Sequence, residues 1–125
     1  MSVADVAKDL VAKCSQGQFE EAMKAHYAPN IVSIEPCGNE QMPARQEGIE
    51  AIEAKGRWWV ENHEIHSMEV NGPFVGDGDQ FAVQFKMDVT FKPTGSRMQN
   101  TEMALYTVKD GKIVQEEFFY HAPGM

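Results

Sequence analysis

Phe81-Ala-Val-Gln-Phe-Lys-Met-Asp-Val-Thr-Phe91 alternates large apolar residues with small or polar ones. Successive strand side chains point to opposite faces, so Phe81, Val83, Phe85, Met87, Val89 and Phe91 form one greasy face. That face needs a cover. Turn signals flank the run on both sides: Asn71-Gly-Pro73 and Gly76-Asp-Gly-Asp79 before it, Pro93-Thr-Gly-Ser96 and Lys109-Asp-Gly-Lys112 after it. They separate four strand-like runs, 65–75, 80–92, 97–108 and 113–121, which predicts consecutive antiparallel strands joined by hairpins.

Upstream the periodicity changes. Val3, Val6, Leu10 and Val11 recur at helical spacing, and Gly17 interrupts them. Phe19 to Tyr27 reads as a second helix that stops near Pro29-Asn30. Gly48 opens a third, Ile49 to His63, with Ile49, Ile52, Trp59 and His63 on one face. Helices first and strands later is the order of an α+β fold. The expectation is one domain, residues 1–125, with a curved antiparallel sheet packed on three N-terminal helices.

The remaining stretch, Ile31-Val-Ser-Ile-Glu35-Pro36, is a short apolar run ending on a carboxylate. Pro36 lacks an N–H and steers Glu35 away from helix, so Glu35 should end a strand where the chain leaves the sheet. The irregular segment 36–47 follows, long enough to be a lid or binding loop. A strand-end acid beside such a loop has the placement of a general base on a small molecule, although a lone Glu is more often a solvated one.

Composition narrows the function. The 125 residues are 42% hydrophobic and 24% charged, ordinary globular values. The net charge of −8, with scattered Lys and Arg, argues against nucleic acid. No stretch is apolar enough to span a bilayer, and Met1 to Lys8 lacks signal-peptide character, so a soluble cytoplasmic protein is expected. Cys14 and Cys37 have no CxxC or metal spacing and are expected as free thiols. His63, Glu64 and His66 do not make an HExxH set, so no metal site is expected.

A two-residue Asp110-Gly111 turn would pair Val108 with Ile113 and Thr107 with Val114. Counting outward from there places Thr101, Met103, Leu105, Val114, Glu116, Phe118 and Tyr120 on one face. It places Asn100, Glu102, Tyr106, Ile113, Gln115, Glu117, Phe119 and His121 on the other. The first is more apolar and is assigned to the helix side, leaving Glu116 on an apolar wall as a pocket acid or as a paired structural residue. The second, mixed and aromatic, suits a homodimer contact, or a polar site of Glu102, Glu117 and His121. Trp58 and Trp59 are adjacent and cannot both point inward. Tyr27, Trp59 and His63 are candidate ligand contacts beside the apolar Val83, Phe85, Met87, Met103, Leu105 and Phe118. Tyr27 reads equally well as core filler, His63 at the helix end is more often a cap, and methionines are more often packing.

The order of elements, with Tyr27-Ala-Pro-Asn-Ile-Val-Ser-Ile-Glu-Pro36, Gly48-Ile-Glu-Ala-Ile52 and Leu105-Tyr-Thr-Val-Lys-Asp-Gly-Lys-Ile-Val114, resembles the nuclear transport factor 2-like superfamily. Within it the chain is most similar to SnoaL-like and ketosteroid isomerase-like proteins. That resemblance implies a cystatin-like α+β barrel around a cone-shaped cavity. It implies a cofactor-independent isomerase, cyclase or dehydratase acting on a small apolar metabolite, or a non-catalytic binding or dimerisation module. It puts the general base of ketosteroid isomerase on Glu35. The two donors of that enzyme's oxyanion hole, a tyrosine and a protonated aspartic acid, fall near Leu10 and Met103 here, which departs from the pattern. Glu116 and Tyr120 are the expected replacement donors.

Overall fold

The computed structural model describes residues 2–121. Three helices, α1 (Val3–Ser15), α2 (Phe19–His26) and α3 (Ile49–Asn62), accompany six strands. The strands are β1 (Tyr27–Ile34), β2 (Arg45–Glu47), β3 (His63–Val75), β4 (Gln80–Phe91), β5 (Ser96–Lys109) and β6 (Lys112–Phe119). Ser2 starts α1 with a capping box: its hydroxyl accepts from the Asp5 N–H at 3.1 Å, and the Asp5 carboxylate accepts from the Ser2 N–H at 3.2 Å. Val6, Ala7, Leu10 and Cys14 form the buried stripe of α1.

The six strands lie in the order β2-β1-β6-β5-β4-β3, an open sheet. It is mixed where a wholly antiparallel one was expected, because β1 and β6 run parallel. These two strands are distant in the chain, so no hairpin dictates their relative direction. The segment 36–47 also contains a strand: β2 pairs antiparallel with β1, Val32 opposite Glu47. The helices cover the face carrying Phe81, Val83, Phe85, Met87 and Val89, all buried. Val6, Leu10 and Ile52 meet them there.

The last hairpin contains the main departure. Asp110 and Gly111 have φ of 52° and 77°, as a type I′ turn requires, and Val108 pairs with Ile113 as expected. The next pair is Thr107 with Gln115, so Val114 is an extra residue, a β-bulge on β6. One inserted residue reverses the relation between the faces of the two strands beyond it. Glu116 and Phe118 therefore share the helix-facing side with Glu102, Tyr106 and Ile113, expected on the opposite face, and with Ala104. Met103 and Leu105, expected to face inward, lie on the outer face. Met103 pairs with Gln84 and Phe119 and is exposed, and Leu105 pairs with Ala82 and Glu117.

Candidate functional site

A cavity of about 470 Å³ opens between the helices and the inner face of the sheet. Leu10, Phe19, Ile52, Trp59, Phe85 and Met87 supply much of its apolar wall, and the loop after Glu35 contributes Cys37, Asn39 and Met42 at its mouth. Asn39 holds that loop in shape, accepting from the backbone N–H groups of Gln41 and Met42 at 2.9 and 2.8 Å. The Glu35 N–H donates to the Ala44 carbonyl at 2.8 Å, so the acid is anchored where the loop departs and returns.

Polar side chains converge inside this apolar space. Ser33 and Glu35 alternate on β1 and its continuation, so they point the same way. Lys55 lies one turn from Ile52 and from Trp59 on α3, on the face turned toward the sheet. Its Nζ donates to Ser33 Oγ at 2.7 Å and sits 2.8 Å from Glu35 Oε1. The same ammonium is 5.3 Å from the centre of the Phe118 ring. Ser33 Oγ donates to Glu116 Oε2 at 2.7 Å, and the Tyr27 hydroxyl donates to Glu116 Oε1. Tyr27, Glu116, Ser33, Lys55 and Glu35 thus form one continuous chain.

The environment sets the proton affinities. Burial pushes the Glu116 carboxyl up, and Lys55, Tyr27 and Ser33 oppose it. Burial, then the charge of Glu116, raises the Tyr27 and Tyr106 hydroxyls well above the ordinary phenol range. Tyr120 is raised by burial and then by the charge of Glu35. Glu102, opposite Phe85 in the sheet, is pushed up to about 7 by burial and by the charge of Glu35, with Lys55 opposing. The cavity is therefore lined both by Glu35, paired with a cation, and by Glu102, whose carboxyl is raised to about 7.

Of the residues singled out in the sequence, Glu35, Glu116, Tyr120, Tyr27, Trp59, Phe85, Met87 and Phe118 line this cavity. His63 stands behind Trp59: the rings stack at 4.3 Å and His63 Nδ1 is 2.8 Å from the Trp59 carbonyl. Val83 is fully buried in the core. Met103 and Leu105 are on the far side of the sheet, for the reason of register given above. Trp58 reaches the cavity mouth as well, half in solvent, so both tryptophans border it. Glu102 and Glu117 are on opposite faces of the sheet and do not form one site with His121.

Lys55, Ser33, Glu102 and Tyr106 were not anticipated in the site. The spacing of Ser33 to Glu35 and of Lys55 to Ile52 and Trp59 carried a signal for the first two. The other two were hidden by the bulge. Among the described residues no group of three or more His, Cys, Asp or Glu is arranged to hold a metal ion.

Both cysteines are free and border the cavity, Cys14 buried and Cys37 exposed. Burial, followed by the charge of Glu116, pushes the Cys14 thiol up to about 12. The thiolate is the nucleophile, so Cys14 should be inert. A thiol reagent at pH 8 is expected to add one label per folded chain, on Cys37, and a second only on unfolding. Peptide mass mapping reads this out, and labelling of Cys14 in the native protein would contradict it.

Residues 1–120 match the SnoaL-like domain. The chain belongs to this family. A candidate SnoaL-like polyketide cyclase (carbohydrate phosphatase) of Mesorhizobium loti is 45% identical to this SnoaL-like chain, covering 96% of it and 100% of its own length, with a TM-score of 0.90. A candidate isomerase of Bacillus subtilis shares 17% identity over 97% of this chain and 90% of its own, at a TM-score of 0.79. A protein of unknown function with a cystatin-like fold from Xanthomonas campestris shares 19% over 98% and 92%, at 0.76. The last two show the shared fold alone. No curated protein matches the chain. No helix among the described residues is long and apolar enough to cross a membrane.

Proposed function

We propose that this SnoaL-like domain binds a small apolar carbonyl compound in its cavity and moves a proton on it, with Glu35 as the general base. The observation that carries the reading is Glu35, tied to Lys55 at 2.8 Å, lining the same apolar cavity as a second carboxyl group, Glu102. Isomerisation, cyclisation and dehydration all move protons on the substrate, which a base and an acid with separated proton affinities can do. Glu35 takes the proton next to the carbonyl. Negative charge then develops on the carbonyl oxygen, which the Tyr120 hydroxyl meets as a hydrogen-bond donor. Glu102 returns a proton to the other end. Glu116, with both oxygens occupied by Tyr27 and Ser33, orients Ser33 and through it Lys55.

A panel of simple carbonyl compounds tests this without the natural substrate in hand. Cyclic and linear ketones and β-keto esters are incubated with the protein in D₂O, and exchange of their α-hydrogens is followed by NMR. Glu35→Gln is expected to slow any protein-dependent exchange by at least ~10²-fold while ligand binding persists, the usual size of a general-base contribution. Equal exchange by the variant would remove Glu35 from the mechanism. A ligand bound with no exchange in any compound would favour the binding-module reading.

We also propose that a second copy of the chain covers the outer face of the sheet. Phe74, Met103 and Phe119 are 57%, 37% and 49% exposed there, grouped around Leu105. A single apolar patch of this kind is self-complementary about a two-fold axis. Phe119→Asp is expected to convert a dimer to a monomer in sedimentation velocity; an unchanged sedimentation coefficient would exclude this face.

A further inference from the structure

We propose that the cavity admits uncharged apolar molecules bearing a hydrogen-bonding oxygen and turns carboxylates away, because its one cation is already committed. This rests on the reading of the cavity as a small-molecule site. Among the described residues that line it, three are carboxyl-bearing, Glu35, Glu102 and Glu116, and Lys55 alone is cationic. The Lys55 ammonium gives one hydrogen bond to Ser33, pairs with Glu35, and lies over the Phe118 ring. Only 16% of its side chain is exposed, so water does little to dilute these contacts. Through Ser33 it also supports Glu116, which is 3% exposed.

An entering carboxylate would have to shed its water into a wall of Leu10, Phe19, Ile52 and Phe85. A buried charge without a partner is among the costliest arrangements in a protein. Here the incoming anion meets carboxyl groups and must take Lys55 from Glu35, which only transfers the orphaned charge to Glu35. A ketone, ester or alcohol oxygen asks for one donor and displaces no ion pair. The apolar body of either ligand gains equally from the walls, so the difference between the two lies at the polar end.

The matched probes 2-nonanone and nonanoate isolate that end. Each is titrated against bound Nile red at pH 8, where nonanoate is ionised, and displacement is read by fluorescence. The ketone is expected to compete at concentrations at least about 10-fold lower. Glu35→Gln removes the competitor for Lys55 and is expected to improve nonanoate binding by about 10-fold over wild type. The double variant Glu35→Gln/Lys55→Met should lose that gain. Nonanoate binding to the wild type as well as or better than the ketone overturns the inference, as does a folded Glu35→Gln protein with unchanged nonanoate affinity. If Glu35→Gln fails to fold, the wild-type ratio decides alone. Failure of both probes to displace the dye, or of the dye to bind, rejects the cavity as a small-molecule site and the inference with it. Equal displacement by both rejects the inference only.

Discussion

Lys55→Met should destabilise the fold by about 3–5 kcal/mol, the usual consequence of removing one partner from a buried ion pair. Methionine fills nearly the same volume, so lost packing contributes little. The cost arises because Glu35 and Glu116 remain in the cavity without the cation that offsets them. Both side chains of the Lys55–Glu35 pair are mostly shielded, at 16% and 20% exposure. Surface pairs such as Lys24–Glu20, at 63% and 52%, are screened by water and should respond far less. The double variant Lys55→Met/Glu35→Gln should recover the part of the loss that comes from Glu35, while Glu116 still lacks the cation. Urea unfolding of the two single variants and the double variant forms a cycle that isolates the pair. A Lys55→Met midpoint indistinguishable from wild type would show that the ammonium is not a structural hub.

Glu102→Gln should stabilise the protein, but only at the alkaline end. The ordinary carboxyl value is 4.5, and Glu102 in the fold is raised to about 7. Between these pH values the folded chain keeps a proton that the unfolded chain has released. The unfolded state then binds fewer protons, so stability falls as pH rises from about 4.5 to about 7 and levels off above. Glutamine cannot ionise and escapes this loss. The variant and wild type should therefore match below about pH 4.5, and the variant should be more stable at pH 8 by up to about 3 kcal/mol. Thermal or urea midpoints at pH 4 and pH 8 measure the difference, and a gap independent of pH would sink the assignment. A group retained at such a cost in stability fits a functional role better than a packing one. In the proposed mechanism the same variant loses the acid.

Much of this protein is legible from local pattern. The strict alternation from Phe81 to Phe91 marks β4 and its buried face, and that face is as read. The helical spacings place α1, α2 and α3 to within a residue or so of their ends. Pro36 stops a strand that ends at Ile34, with Glu35 next in the chain at the cavity wall. The short β2 was not visible because three polar residues, Arg45 to Glu47, have no period to show. The parallel pairing of β1 with β6 was not visible because nothing local joins them.

The inner wall of β5 shows the limit most sharply. The turn at Asp110-Gly111 and the first pair after it follow from local chemistry. The bulge at Val114 does not, and it exchanges Met103 and Leu105 for Glu102, Ala104 and Tyr106 on the cavity side. A bulge is selected by what it lets distant side chains do, here bringing Glu116 opposite Tyr106 and beneath Tyr27 and Ser33. What the amino-acid order determined by itself is the set of elements, the helix-covered face of β4 and the end position of Glu35, since these depend on residues a few places apart. Only the tertiary structure decided that Lys55 of α3 pairs with Glu35, that Ser33 of β1 links it to Glu116 of β6 and that Glu102 of β5 lines the same cavity, because burial and charge pairing act between segments that periodicity cannot connect.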